Sequence, residues 1–164
     1  METVDKMIDE YAIQKIRSIA DYQFGKGVGA KFFPETSEIF FSRNTGRIRY
    51  VYLEHELLAT LRPTSGLFIL TISGAKRMMS EVEFPRLWVR IEDEAEPFVS
   101  RGRSVFAKYV KEVDEEIRPN EEVIVINSKN EVLAVGRALL SGLEMKTFNR
   151  GVAVAVRHGV SEKS

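Results

Sequence analysis

The chain has 164 residues, with 24 Lys and Arg against 24 Asp and Glu, so its formal net charge is zero. At 44% hydrophobic and 29% charged it has the profile of a globular chain rather than a disordered one, long enough for one ordinary domain or two small ones. Charge balance excludes a histone-like polycation but leaves room for a local basic patch, and the lack of cysteine excludes disulfides, thiolate zinc sites and cysteine nucleophiles.

The N-terminal stretch METVDKMIDEY is acidic and amphipathic and does not read as a signal peptide. No apolar run approaches the roughly 20 residues that span a bilayer. A cytoplasmic location is expected. Val4, Met7, Ile8, Tyr11, Ala12, Ile16, Ile19 and Ala20 recur at helical spacing, with Lys15 adding an apolar stem. They predict one amphipathic helix over 4–20, ending before Gly25-Lys26-Gly27-Val28-Gly29, a run that reads as a turned loop.

From Phe32 the texture turns to short β-rich runs: 39–41, 47–52, 57–61 and 67–72. Turn signals at 44–46, 54–56 and 62–66 separate them and predict an antiparallel meander. A short helix is predicted over 74–79. The polar stretch from Ser80 to Pro85 is the predicted boundary, giving domains 1–80 and 84–160. In the second half, strands are predicted over 87–91, 104–110, 123–127 and 152–157, with a longer one over 131–140 interrupted by Gly136. Short helices are predicted over 94–100, ending at Gly102, and over 143–148. Five strands and two helices in about 75 residues predict a small mixed barrel.

Three segments of the second half carry a family pattern: 101–108 (RGRSVFAK), 117–123 (IRPNEEV) and 133–138 (LAVGRA), followed by Glu144-Met145 and 151–154 (GVAV). They resemble the PUA domain, an RNA-binding module, over 84–159. In the first half, 20–25 (ADYQFG), 47–49 (RIR) and 58–63 (LATLRP) are similar to the region preceding PUA in archaeal tRNA-guanine transglycosylases and archaeosine synthases. The resemblance implies an α+β fold: an N-terminal α+β pre-PUA domain of helix and antiparallel sheet, then a PUA β-pseudobarrel. The catalytic barrel of those enzymes needs about 250 residues. The resemblance therefore implies RNA binding rather than base exchange: a non-catalytic protein with no cofactor and no metal. It would bind tRNA and assist a separate archaeosine-type modification enzyme in trans. The alternative is a protein-interaction module that docks on a catalytic subunit without touching RNA, through the 4–20 helix or a sheet edge.

The resemblance places the RNA-facing surface at the loop Arg101-Gly102-Arg103-Ser104 and the strand after it. The stretch 101–111 holds Arg101, Arg103, Lys108 and Lys111 and no acid. Strand alternation would set Val105, Ala107 and Tyr109 on one face and Phe106 and Lys108 on the other. The plainer reading is a glycine turn with solvated arginines, some of them paired with acids. A second set, Arg137, Lys146, Arg150 and Arg157, would extend one basic stripe. The acids Glu112, Asp114, Glu115, Glu116, Glu121 and Glu122 would collect in a separate turn region. The RNA-binding set is thus Arg101, Gly102, Arg103, Ser104, Lys108, Arg137, Lys146 and Arg150, with no catalytic residue and no metal ligand.

Other features read more plainly. The run Gly25-Lys26-Gly27-Val28-Gly29-Ala30 formally fits G-x-G-x-x-G/A, but it follows a helix rather than a strand. A backbone nest with Lys26 and Lys31 touching a phosphate is the lesser reading there. Arg43, Arg47, Arg49 and Arg62 read as a solvated sheet face paired with Glu54 or Glu56. Phe32, Phe33, Phe40, Phe41, Phe68, Trp88 and Phe98 read as core, while Tyr109 and Phe148 are candidates for base stacking, though packing is the plainer role for both. His55 and His158 fall in different halves and do not suggest a shared metal or a triad.

Overall fold

The computed structural model describes the backbone of residues 2–162 and the side chains of 10–162. The first element, α1 (Glu2–Phe24), buries Ala12, Ile16, Ala20, Gln23 and Phe24 along one stripe. Val4, Met7 and Ile8 of the predicted stripe lie outside the described side chains. At the end of α1 the Gln23 amide reaches the sheet: its Nε2 donates to the Phe68 carbonyl and its Oε1 accepts from the Phe68 amide, both at 2.8 Å. A buried glutamine thus satisfies both polar groups of one strand residue.

The glycine run is not simply a loop. Helix α2 (Val28–Phe32) starts inside it. A β-carbon on Gly29 would stand 2.2 Å from the Arg17 carbonyl oxygen, so the glycine lets α2 press against α1. The Gly29 amide donates to Asp21 Oδ1 at 2.6 Å. The chain's own carboxylate holds that amide, so it is not free for a phosphate.

The meander forms as predicted: β1 (Glu38–Phe41), β2 (Ile48–Leu53), β3 (Glu56–Leu61) and β4 (Phe68–Leu70), antiparallel in the order β1-β2-β3-β4. Val51, Ala59 and Leu70 lie in register on the buried face. Phe24, Phe32, Phe33 and Phe68 form a chain of tilted rings beneath it. Helix α3 (Ile72–Glu81) follows, capped by Thr71, whose Oγ1 accepts from the Gly74 amide at 3.0 Å. Phe40, Phe41 and Phe98 are exposed, not core.

A second compact unit runs from Arg86 onward. Its elements are β5 (Trp88–Ile91), a 3-10 turn (Asp93–Ala95) leading into α4 (Glu96–Ser100), β6 (Val105–Phe106), β7 (Val110–Val113), β8 (Glu122–Ile126), β9 (Val132–Ala138), α5 (Gly142–Thr147) and β10 (Val152–Gly159). The strand order is β6-β10-β9-β8-β5-β7, with β5 and β8 parallel. The unit has six strands rather than five. The predicted 104–110 strand breaks at a 3-10 turn (Ala107–Tyr109). On one side β6 pairs with β10; on the other β7 pairs with β5. Three residues carry the chain between the two outer edges of the sheet, which is how the barrel nearly closes. The Val105/Ala107/Tyr109 alternation therefore does not belong to one strand.

Gly136 does not interrupt β9. A β-carbon there would lie 2.3 Å from the Ala155 carbonyl oxygen, so the glycine admits the irregular backbone of β10. Helix α5 opens with a capping box. Ser141 Oγ accepts from the Glu144 amide, and the Glu144 carboxylate accepts from the Ser141 amide at 2.8 Å.

Candidate nucleic-acid interface

Helix α4 ends in a six-residue closure that fixes the Arg101–Ser104 loop. The Gly102 amide donates to the Val99 carbonyl at 2.9 Å and the Arg103 amide to the Phe98 carbonyl at 3.1 Å. This pair of bonds needs a left-handed residue at its centre, and Gly102 has φ +106. The closure is held from the other side by the end of β10. A β-carbon on Gly159 would come 2.4 Å from the Ser100 carbonyl oxygen, and the Ser161 amide donates to that same oxygen at 2.7 Å.

The two arginines flanking Gly102 are exposed, and neither has an ion pair among the described residues. Ser104 turns inward, its Oγ accepting a long 3.4 Å bond from the Val156 amide. At the other end of β10, the Ala107 amide donates to the Gly151 carbonyl at 2.9 Å. This brings Lys108 beside Arg150, both exposed, with the Lys108 ammonium 5.0 Å from the Tyr109 ring centroid. Arg137 lies between these ends, in register with Ala155, and donates to Asn120 Oδ1 at 3.1 Å. The predicted set thus gathers at the two ends and the middle of one eight-residue strand, a span of about 23 Å.

Two predicted cations are already held by acids. Lys146 meets Glu115 at 2.6 Å, and Arg157 forms a two-pronged pair with Glu122. The acidic cluster is dispersed as well. Glu122 is buried in β8, Glu112 pairs with Arg90, and Asp114 accepts from the Leu87 and Glu116 amides. Charge segregation is therefore weaker than the sequence order implies.

One participant escapes sequence reading. The Glu162 carboxylate accepts from the Gly159 amide at 3.2 Å and lies 2.6 Å from His158 Nδ1. Its other reach is the loop: a β-carbon on Gly102 would sit 3.4 Å from Glu162 Oε2. The hydrogen bond with His158, then that from Gly159, holds the Glu162 carboxyl below the usual carboxylate range. Among the described residues no group of three or more His, Asp and Glu is placed to hold a metal, and no helix is long and apolar enough to cross a membrane.

Comparison with known proteins covers both units. Residues 14–85 match the patch-forming domain C2 of tRNA-guanine transglycosylase, and residues 88–160 match the PUA domain. The chain is 42% identical over 159 residues to the tRNA-guanine(15) transglycosylase of Methanothermobacter thermautotrophicus and 45% identical over 159 residues to that of Pyrococcus abyssi. These alignments cover 97% of the chain in each case but only 24% and 27% of the enzymes, so the chain spans about a quarter of their length. Among solved structures, a hypothetical protein of Pyrococcus horikoshii OT3 superposes with a TM-score of 0.73 at 26% identity, covering 92% of this chain and 91% of that one. A conserved PUA domain protein of Thermoplasma acidophilum shares the fold with a TM-score of 0.66 at 19% identity, covering 94% and 92%. The chain carries a C2-type patch-forming domain followed by a PUA domain and matches the C-terminal region of archaeal tRNA-guanine(15) transglycosylases.

Proposed function

We propose that this protein is a non-catalytic tRNA-binding protein, working in the cytoplasm, that holds tRNA for a separate modifying enzyme in trans. PUA domains bind RNA, and the relatives are tRNA-modifying enzymes. The observation that carries the reading is the Arg101-Gly102-Arg103 closure: two exposed guanidinium groups, with no ion pair among the described residues, on a hydrogen-bonded turn at one end of β10. Lys108, Arg137 and Arg150 continue along that strand. Arginine forks meet phosphate oxygens bidentately, and a fixed spacing of cations reads backbone shape before sequence.

Two measurements test this. The first is binding of the purified chain to total tRNA and to double-stranded DNA at low and moderate salt. A preference for tRNA that survives moderate salt supports shape recognition. Equal, weak binding abolished by salt overturns it and leaves docking on a protein as the role. The second is base exchange by an archaeal transglycosylase lacking the matching region. A rise in rate when this chain is added supports action in trans, and an unchanged rate removes that part of the reading.

A further inference from the structure

The outer face of the β1–β4 sheet combines two things that surfaces rarely combine. In register across it lie Phe40, Tyr50, Thr60 and Ile69, opposite to the buried Val51, Ala59 and Leu70. Phe40 is 48% exposed and Tyr50 39%, and the Phe40 and Tyr52 rings meet edge to face at 5.3 Å. These rings are among the residues lining an open concavity of about 1120 Å³. The same lining holds Lys15, Arg43, Arg47, Arg49 and Arg62, against one acid, Glu38.

The expected pairing of these arginines with Glu54 or Glu56 does not occur. None of the five cations has an ion pair among the described residues, whereas cations of the second unit do pair: Arg90 on β5 with Glu112 on β7, and Lys146 on α5 with Glu115. Arg49 instead stands 5.7 Å from the Tyr50 ring centroid. A protein-binding patch has a core depleted of charge. Exposed rings on a sheet, ringed by unpaired guanidinium groups, suit a flexible polyanion that carries flat bases. A duplex keeps its bases stacked on one another, so the rings can serve only unpaired nucleotides.

We infer that this face binds a short unpaired stretch of RNA, with bases stacked on Phe40 and Tyr50 and phosphates met by Arg43, Arg47 and Arg49. The inference does not rest on the PUA-side reading, because all its residues lie between 15 and 66. The test is fluorescence anisotropy of the full chain with a labelled oligouridine and, in parallel, with an RNA duplex. The Phe40→Ala/Tyr50→Ala variant is expected to weaken oligouridine binding about tenfold or more, with duplex binding unchanged. The Phe40→Tyr/Tyr50→Phe variant, which keeps both rings, is expected to retain binding. Arg47→Glu/Arg49→Glu, which keeps both rings, is expected to lose it. Arg101→Glu/Arg103→Glu is expected to weaken oligouridine binding less than Arg47→Glu/Arg49→Glu does. Absence of oligouridine binding in the unaltered chain overturns the inference. So does loss that follows Arg101 and Arg103 instead of the sheet face, or equal loss for the ring-keeping variant.

Discussion

Both carboxylate oxygens of Glu122, on β8, accept from the guanidinium of Arg157, on β10, across the intervening strand β9. The Glu122 side chain is only 4% exposed, so the fork offsets much of the cost of holding its charge there. Arg157→Ala therefore takes the fork away from a buried carboxylate. Because Arg157 is itself a quarter exposed, some solvent reaches the gap. The expected cost is about 2–3 kcal/mol in urea unfolding. Glu122→Gln in the same background is expected to recover part of it. Equal stability of Arg157→Ala and the unaltered chain would show that the pair is not structural.

The free and the paired cations are expected to behave differently toward RNA. Arg101→Glu/Arg103→Glu reverses two exposed charges without touching a buried group, so melting should shift little. Affinity for tRNA should fall steeply, and the slope of log K against log salt should flatten by about 1.5 as two phosphate contacts vanish. Lys146→Ala is the control. Its ammonium is already 2.6 Å from Glu115, and its loss should leave tRNA affinity within about twofold. A Lys146 effect as large as that of the arginine pair would return it to the interface.

The loop's shape depends on two glycines for different reasons. At Gly102 the backbone itself is left-handed, and open space surrounds it apart from Glu162. Gly102→Ala should cost about 1 kcal/mol of strain. At Gly159 the obstacle is backbone, with the Ser100 oxygen 2.4 Å and the Gly102 nitrogen 2.6 Å from a β-carbon. Gly159→Ala must push β10 away from the closure. We expect it to be the more destabilising of the two in thermal melts, and to lower tRNA affinity even where the protein stays folded.

Much of this was legible in order along the chain. Turn residues at 44–46 and 62–66 announce the meander, and Gly102 after a short helical run announces the closure, because both signals act over a few residues. What was not legible depends on contacts far apart in sequence. The break at Ala107–Tyr109 arises because β6 must reach β10 while β7 must reach β5. The pairing of Lys146 with Glu115 and of Arg157 with Glu122 joins residues more than 30 positions apart. Phe40 and Phe41 read as core because both are apolar. Both are exposed instead, 48% and 43%, on the outer strand β1, where the pairing with β2 shifts register between them.

Glu162 offers the last prediction, since its carboxylate stands in the ground that the loop would offer to a phosphate. Glu162→Gln removes a negative charge beside Gly102 and keeps the side chain's shape. Affinity for tRNA is expected to rise about threefold at low salt and to converge with the unaltered chain as salt screens the charge. The same residue ties stability to pH. Its folded-state carboxyl titrates below the ordinary value of 4.5, because the hydrogen bonds with His158 and from the Gly159 amide favour the ionised form. Its contribution is therefore present at neutral pH and is lost as pH falls below 4.5 through the lowered folded-state value. Melting curves of the unaltered chain and of Glu162→Gln should differ at about pH 5 and converge on further acidification. A gap that widens on acidification below about pH 5 would mean that the carboxyl is not held ionised by these partners, and the gain in affinity would then have to come from elsewhere in the loop.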